Sequence, residues 1–201
     1  MTIRYQRLMI LFLRSRMAVP ALLVLTAVAA AAGFALDASD DADLTLLLRL
    51  TAPLAAAVVV GVAVRSPFGE AERTASQPLP PLRFAHLTLL LAYGVAGFAL
   101  ASVVPDDGSL GMLLRNGAGF VGLALIGAWT LGTAASWLFP LAYGGGVFFA
   151  YLSRPPSDAW WRWPLQSADD GSALAIALSL LAAGLAIVVT AGARDGLDEA
   201  A

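Results

Sequence analysis

Cysteine is absent from the chain and histidine occurs once, as His86. Without thiols the chain has no disulfide, thiolate metal site or cysteine nucleophile, and one histidine cannot build a multi-histidine metal centre. Lysine is absent too, since all 12 basic residues are arginine. The phosphate-binding motif Gly-x-x-x-x-Gly-Lys-[Ser/Thr] therefore cannot occur, and we expect neither ATP hydrolysis nor a bound cofactor in this chain.

Charge is scarce, because only 13% of the residues are charged while 59% are apolar and the mean hydropathy is +0.79. Soluble domains are about 45–50% apolar and about 25% charged. A water-soluble fold of this size could not hide so much apolar surface. We therefore predict an all-α integral membrane protein whose main solvent is the lipid bilayer, with no nucleic-acid partner.

Six apolar stretches are long enough to cross a bilayer, which indicates a six-helix transmembrane bundle. The fifth stretch is the least clear, because Pro140 and Gly144–Gly146 interrupt it. Residues 112–152 would extend about 60 Å as a helix, so they cross twice, or cross once and re-enter. We favour two crossings. The predicted spans are 17–36, 44–64, 84–104, 112–133, 135–152 and 172–192.

Arginine placement predicts the orientation. With a cytoplasmic N-terminus, eight arginines fall inside and four outside, whereas five acidic residues fall inside and nine outside. This bias predicts that the N-terminus is cytoplasmic. We expect a multi-pass protein of the plasma (inner) membrane of a bacterium. Both termini would be cytoplasmic, including a tail at 193–201.

The N-terminal residues 1–16 form a segment separate from the first span. Arg4, Arg7 and Arg14 recur at helical spacing, with apolar residues between them. This pattern predicts an interfacial amphipathic elbow helix on the inner leaflet. The alternative is an ordinary positively charged flank that sets topology.

The longest predicted inner loop lies between spans two and three, at 65–83. Ser66 can cap a short helix with Pro67 at its first position, and Glu70 and Glu72 would lie near its positive end. The prolines that follow, Pro78, Pro80 and Pro81, would force an extended exit. Such a rigid charged loop suits docking to a cytoplasmic partner, although a plain solvated connector remains the alternative.

This loop contains Glu-x-Glu-Arg-Thr and then Pro-Leu-Pro-Pro-Leu-Arg at the start of span three. With the N-terminal elbow and two preceding spans, it resembles the membrane (permease) subunits of type-two ATP-binding-cassette exporters. The resemblance implies that the loop holds a coupling helix for an ATPase subunit. Thr74 directly follows Arg73 without the usual glycine, and the chain is shorter than most members. The matching positions are Phe68, Glu70, Glu72, Arg73 and Thr74.

The resemblance also implies partners. A separate cytoplasmic ATPase would bind ATP and magnesium, and a second permease subunit, identical or a sister chain, would complete the transporter. In this family a partly inserted external segment usually lies between the last two spans. Here residues 154–171 contain Trp160, Trp161 and Trp163, and tryptophan prefers the headgroup layer. We expect this segment to lie flat on the outer interface, as an aromatic belt or as a gating element.

Arg49 and Arg115 lie near the outer ends of spans two and four. Such residues are candidates for the translocation path or an interface. The interpretation we favour is that they snorkel to the interface or pair with acidic residues, and substrate contact is the alternative. The possible acidic partners are Asp41, Asp43 and Asp107.

His86 is expected at the surface of span three, because no intramembrane carboxylate could serve it as a proton-relay partner. Glycines in spans three and four allow close helix packing, within the subunit or at a dimer seam. They are Gly94, Gly97, Gly117, Gly119, Gly122 and Gly127.

These patterns predict a permease subunit that exports an apolar or amphipathic substrate, powered by a separate ATPase. The alternative is a structural or accessory subunit with no transport path. An intramembrane enzyme is disfavoured, because no Gly-x-Ser-x-Gly elbow, His-Glu-x-x-His helix or intramembrane carboxylate pair occurs.

Overall fold

The computed structural model describes residues 18–65, 79–102, 109–153 and 159–194. All regular structure in these residues is helical, which confirms the all-α prediction. The predicted elbow helix at 1–16, the coupling-loop residues 66–78 and the tail beyond 194 lie outside them. The helices are α1 (Ala18–Asp37), α2 (Ala42–Ala63), α3 (Leu79–Ala101), α4 (Ser109–Thr130), α5 (Leu138–Ser153) and α6 (Gly171–Ala191). Two short 3-10 helices, Thr133–Ala135 and Trp160–Leu165, precede α5 and α6.

Six helical segments are long and apolar enough to cross a membrane. The expected extended exit at Pro80 and Pro81 is wrong, because both residues lie in the first turn of α3. Proline is tolerated there, since the first N–H groups of a helix have no intrahelical acceptor. Helix α3 therefore begins five residues before the predicted span.

The fifth span is also more regular than expected. Pro140 is the third residue of α5, and the helix continues without a break through Gly144–Gly146. The 3-10 turn Thr133–Ala135 and α5 together form the apolar segment Thr133–Ser153. Gly132, at a φ of 90°, reverses the chain between α4 and this segment, a conformation that glycine adopts readily.

Consecutive long helices run in alternating directions, which gives the bundle two ends. At the Asp170 end, the hydroxyl of Tyr151 at the end of α5 donates to Asp43 at the start of α2, at 2.9 Å. At the His86 end, the backbone N–H groups of Thr133 and Arg194 donate to the carbonyls of Arg194 and Ala128. At each end of the bundle, these contacts link helix ends and connecting segments that are distant in sequence.

The acidic side chains of the described residues all lie at the Asp170 end. The described arginines are divided evenly, with Arg49, Arg115 and Arg162 at the Asp170 end and the other three at the His86 end. The acidic residues are Asp37, Asp40, Asp41, Asp43, Asp169 and Asp170. The arginines at the His86 end are Arg65, Arg83 and Arg194. Among the described residues, the Asp170 end therefore carries net negative charge and the His86 end net positive charge.

Helix α4 is the centre of the bundle and packs between α2 and α6. Its closest neighbour is α6, where a Cβ on Gly122 would lie 2.5 Å from the Leu180 carbonyl oxygen. Nearer the His86 end, Gly127 packs against the Ser136 backbone, where a Cβ would lie 2.8 Å from its carbonyl oxygen. These glycines serve packing within the subunit, whereas Gly94 on α3 has open space beside it.

Helices α1 and α3 pack against each other at the side of the bundle. A Cβ on Gly97 would lie 3.1 Å from the Ala29 Cβ, and one on Gly33 would lie 3.0 Å from the Ala101 Cβ. Small residues thus bring the two backbones close together. Large apolar side chains beside this contact face outward, notably Phe34 and Leu100.

Candidate functional site

The segment between α5 and α6 folds back into the Asp170 end of the bundle. Its 3-10 helix, Trp160–Leu165, buries Arg162, Trp163 and Pro164, while Trp160 is 73% exposed. The expectation of a segment lying flat on the interface is therefore wrong for Trp163, which is only 1% exposed. We call residues 159–170 the plug segment.

Trp163 occupies an aromatic pocket formed by α4 and α5. Its ring stacks on Tyr143 with centroids 6.1 Å apart and meets Phe120 at 5.5 Å with a 50° tilt. Gly119 makes room for the indole, since a Cβ there would overlap the ring. The Tyr143 hydroxyl also donates to the Trp161 carbonyl. The plug segment is thus anchored by packing deep in the apolar core.

Arg115 on α4 holds the other side of the plug segment through backbone carbonyls. One terminal nitrogen donates to Ser167 O at 2.5 Å, and the other donates to Gln166 O at 2.8 Å and Pro164 O at 3.4 Å. Because it is 2% exposed, the snorkelling expected for Arg115 does not occur. A planar guanidinium can donate to several carbonyls at once. A positive charge is also favourable at the end of a helical turn, where the backbone carbonyls point outward.

Asn116 links three parts of the chain, and the sequence analysis did not single it out. Its Nδ2 donates to Pro164 O at 2.9 Å and to Arg49 O at 3.2 Å, and its Oδ1 accepts from Arg115 Nε at 3.4 Å. Pro53 explains the bond to Arg49. Proline has no N–H, so it cannot donate to the carbonyl four residues earlier in α2, which is that of Arg49. Asn116 supplies the missing donor.

Asp170 begins α6 as its N-cap. Its Oδ1 accepts from the Ser172 N–H at 2.8 Å, the Ser172 hydroxyl at 2.6 Å and the Ala173 N–H at 2.9 Å. The Ser172 hydroxyl first, then the backbone N–H of Ala173 and the charge of Arg115, hold the pKa of Asp170 below its ordinary value of 3.8. The carboxylate therefore caps the start of α6 and is near enough to Arg115 for their charges to attract.

This cap predicts a pH dependence. A lowered folded-state pKa means that the stabilisation is complete above pH 3.8 and is lost as pH falls through the lower folded-state value. Asp170→Ser keeps an N-cap acceptor but removes the titration. Chemical unfolding between pH 7 and pH 2.5 should show a smaller acid loss of stability for this variant than for wild type. Asp169→Ser, one residue away, should retain the wild-type profile; identical profiles for both variants would contradict the assignment.

Arg162 points into the bundle rather than to the surface. Its guanidinium donates to the Ala150 carbonyl at 3.3 Å and lies 5.7 Å from the centroid of the Trp161 ring. Arg49 is half-buried, and its carbonyl accepts from Asn116. Arg49, Arg115, Trp161 and Trp163 thus meet in one contact network at the Asp170 end. Exposed Trp160 lies beside it in the same segment.

His86 was expected at the surface and is instead 1% exposed. Its Nε2 lies 3.2 Å from the Ala63 carbonyl at the end of α2, so it joins α3 to α2. The guanidinium of Arg83 covers Gly192, which ends α6 at a φ of 83°. A buried, hydrogen-bonded histidine here is a structural link between helices.

The predicted coupling residues Phe68, Glu70, Glu72, Arg73 and Thr74 lie outside the described residues. Their loop connects α2 and α3, so it leaves and rejoins the bundle at the His86 end, opposite the plug segment. Within the described ranges, no group of three or more potential metal-ligand side chains occurs.

Comparison with protein-family models, with curated proteins and with solved structures finds no match to this chain. Its function must therefore be inferred from its own sequence pattern and contacts.

Proposed function

We propose that this chain is the membrane subunit of an exporter of the ATP-binding-cassette class, driven by a separate ATPase. The observation that carries the proposal is the plug segment between the last two long helices. It is partly inserted into the bundle, with Trp163 in the core and Trp160 outside. The resemblance implies a partly inserted external segment between the last two spans, and the burial of Trp163 supports the proposal that the plug segment is that element.

Two further features support the proposal. The described residues include six helical segments able to span a membrane, and the ends of α2 and α3 that the acidic loop connects lie opposite the plug segment. An ATPase bound to that loop would push on α2 and α3, and α2 contacts central α4 directly. The network of Arg115 and Asn116 would carry the displacement of α4 to the plug segment, because it joins α2, α4 and that segment.

The second candidate is an accessory subunit without a transport path. The dense packing of α4 favours it, since Leu113, Phe120, Ala124, Leu125 and Ala128 are completely buried. In that case any path would lie between this chain and a neighbouring subunit rather than through the described bundle.

Charge reversal in the coupling loop tests the proposal. The tagged chain, purified from its source cells in mild detergent, should bring with it magnesium-dependent ATP hydrolysis. Glu72→Arg should remove at least about nine-tenths of that activity, because it puts a positive charge at the predicted ATPase contact. Asp40→Arg makes the same change at the opposite end and should leave the activity unchanged. Absence of ATP hydrolysis from the wild-type preparation, or its full retention by Glu72→Arg, would overturn the proposal.

Orientation is tested by thiol labelling, since the natural chain has no cysteine. We propose that the Asp170 end faces outward from the plasma membrane. Trp160→Cys should react with a membrane-impermeant maleimide on intact cells, whereas Ser76→Cys should react only after lysis. Reaction of both residues from the same side would contradict the six-span topology.

A further inference from the structure

A groove of about 510 Å³ runs along the side of the bundle between α1 and α3. None of its lining residues belongs to the plug segment, and its volume falls in the range of about 300–1,000 Å³ typical of sites for small molecules. Its floor is made of small residues. They are Ala29, Ala30, Gly33, Ala96, Gly97 and Ala101.

The groove is apolar along its length and polar at defined points. Midway along α1, Thr26 Oγ1 and the Tyr93 hydroxyl lie 2.8 Å apart, and the Thr26 hydroxyl donates to the Leu22 carbonyl. Tyr93 is therefore the donor of the pair, and its oxygen keeps the capacity to accept a hydrogen bond. The other polar point is the exposed carboxylate of Asp37 at the last residue of α1.

The distance between these points defines the shape of a ligand. Thr26 and Asp37 are 11 residues apart in one helix, or about 16 Å at 1.5 Å per residue. Phe34 and Leu100 flank the groove and are 78% and 75% exposed. An elongated apolar body would fit between them with its head at Asp37.

Charge decides which head group the groove favours. Its lining includes Asp37 and no arginine, and the exposed acidic side chains Asp40, Asp41 and Asp43 follow at the same end of the bundle. Among the described residues, the arginines of that end are buried or half-buried in α2, in α4 and in the plug segment. The local potential is thus negative, which attracts cations and disfavours anionic amphiphiles.

We propose that the groove between α1 and α3 binds a single-chain amphipathic cation, with its cationic head at Asp37 and its apolar chain extending toward Thr26 and Tyr93. The identification of this cation class as the substrate of the exporter rests on the proposed function. Binding of the cation in the groove is a property of this chain alone. A neutral amphiphile could fill the same space, but it would gain no electrostatic attraction from the carboxylate of Asp37.

Photolabelling of the purified chain in phosphatidylcholine nanodiscs, without ATPase or ATP, tests the site. The probe is dodecyltrimethylammonium with a diazirine in its chain, and the matched neutral probe is diazirine-bearing dodecanol. The cation should label residues 26–37 and 93–101, and unlabelled dodecyltrimethylammonium should compete. Equal labelling by the cation and the alcohol would overturn the proposal in favour of non-selective lipid occupancy.

Two pairs of variants separate charge from shape. Asp37→Asn should weaken binding of the cation about fivefold, the upper range for an exposed ion pair, and should leave labelling by the alcohol unchanged. Asp169→Asn is the matched control, because Asp169 is exposed at the same end of the bundle but lies in the plug segment and outside the groove lining, and it should bind as wild type does. Equal effects of the two variants would overturn the role of Asp37.

Ala96→Trp should lower labelling by either probe about tenfold, because the indole fills the groove from an exposed position. Ala92→Trp, one turn away on the same helix and outside the lining, should have no effect; unchanged labelling in Ala96→Trp would exclude the groove. Glu72→Arg, which tests ATPase coupling, should bind the cation normally, so failure of the proposed function and failure of this site are distinguishable.

Discussion

Replacement of Gly122 by alanine is expected to destabilise the bundle by about 3 kcal/mol, the upper range for overpacking a well-packed interior. The new methyl group would overlap the backbone of Leu180, including its carbonyl oxygen 2.5 Å away. Backbone cannot move aside as a flexible side chain can, so α4 and α6 would have to separate. Gly184 faces Gly122 across the same crossing, where a Cβ would lie 2.7 Å from the Gly122 carbonyl oxygen.

The measurement is loss of helical circular dichroism on titration of detergent-solubilised protein with dodecyl sulfate. Gly117→Ala is the matched control on the same helix, because its new methyl group would meet only the Pro53 Cβ at 4.0 Å. That variant should be about as stable as wild type or up to about 1 kcal/mol more stable, since alanine is the better helix former. Equal stability of the two variants would show that α4 and α6 do not pack in this way.

Replacement of Arg115 by methionine is expected to release the plug segment while the bundle remains folded. Methionine keeps much of the side-chain volume but removes the donor to the carbonyls of Pro164, Gln166 and Ser167. A hydrogen bond from a charged donor contributes about 1.5–3 kcal/mol, so loss of the fork should cost the segment about 3 kcal/mol. Opening of the segment should then become about a hundredfold more frequent.

Hydrogen exchange followed by mass spectrometry measures this opening. Peptides covering residues 159–167 should exchange about a hundredfold faster in Arg115→Met, while α6 peptides from the Gly184 region should change little. The exchange rate of these peptides in Arg115→Lys should lie between those of wild type and Arg115→Met. An ammonium group keeps the charge but cannot match three carbonyls as the planar fork does. Arg65→Met, at the opposite end, is the control. Uniform acceleration throughout the bundle would mean that Arg115 supports global stability rather than this segment.

These two predictions concern two different kinds of contact in the bundle. Gly122 belongs to the apolar contact between α4 and α6, whereas Arg115 belongs to the polar network at the Asp170 end. In the proposed exporter, the network would transmit a movement of α4 to the plug segment, because it joins the two. The glycine contact would move as a rigid unit.

The pattern of apolar runs predicted the six long helices because their lengths match the bilayer and their charges are few. Helix limits were less accurate where proline was read as a breaker. Pro80, Pro81 and Pro140 all fall in first turns, where the missing N–H costs nothing. Pro53 lies in mid-helix, where its missing N–H leaves the Arg49 carbonyl without an intrahelical donor. The side chain of Asn116 donates to that carbonyl instead.

The site was predicted in part. Arg49, Arg115 and the tryptophans were selected because charge and aromatic rings near a membrane interface are unusual, and the structure gathers most of them at one end. Asn116 and Gly119 were missed as site residues, although an asparagine beside an arginine within an apolar span was a usable signal. The composition of the segment did not show that Trp163 is buried and Trp160 exposed, because the direction of each side chain depends on tertiary packing.

Composition and periodicity by themselves determined the class of this protein, because a chain that is 59% apolar with six long runs has few alternatives to a helical bundle. Only the tertiary structure decided where the polar side chains go. Arg115 binds carbonyls about 50 residues later in the chain, and His86 meets a carbonyl 23 residues earlier. Such partners depend on which helices pack together and at what rotation, and no local sequence pattern specifies either.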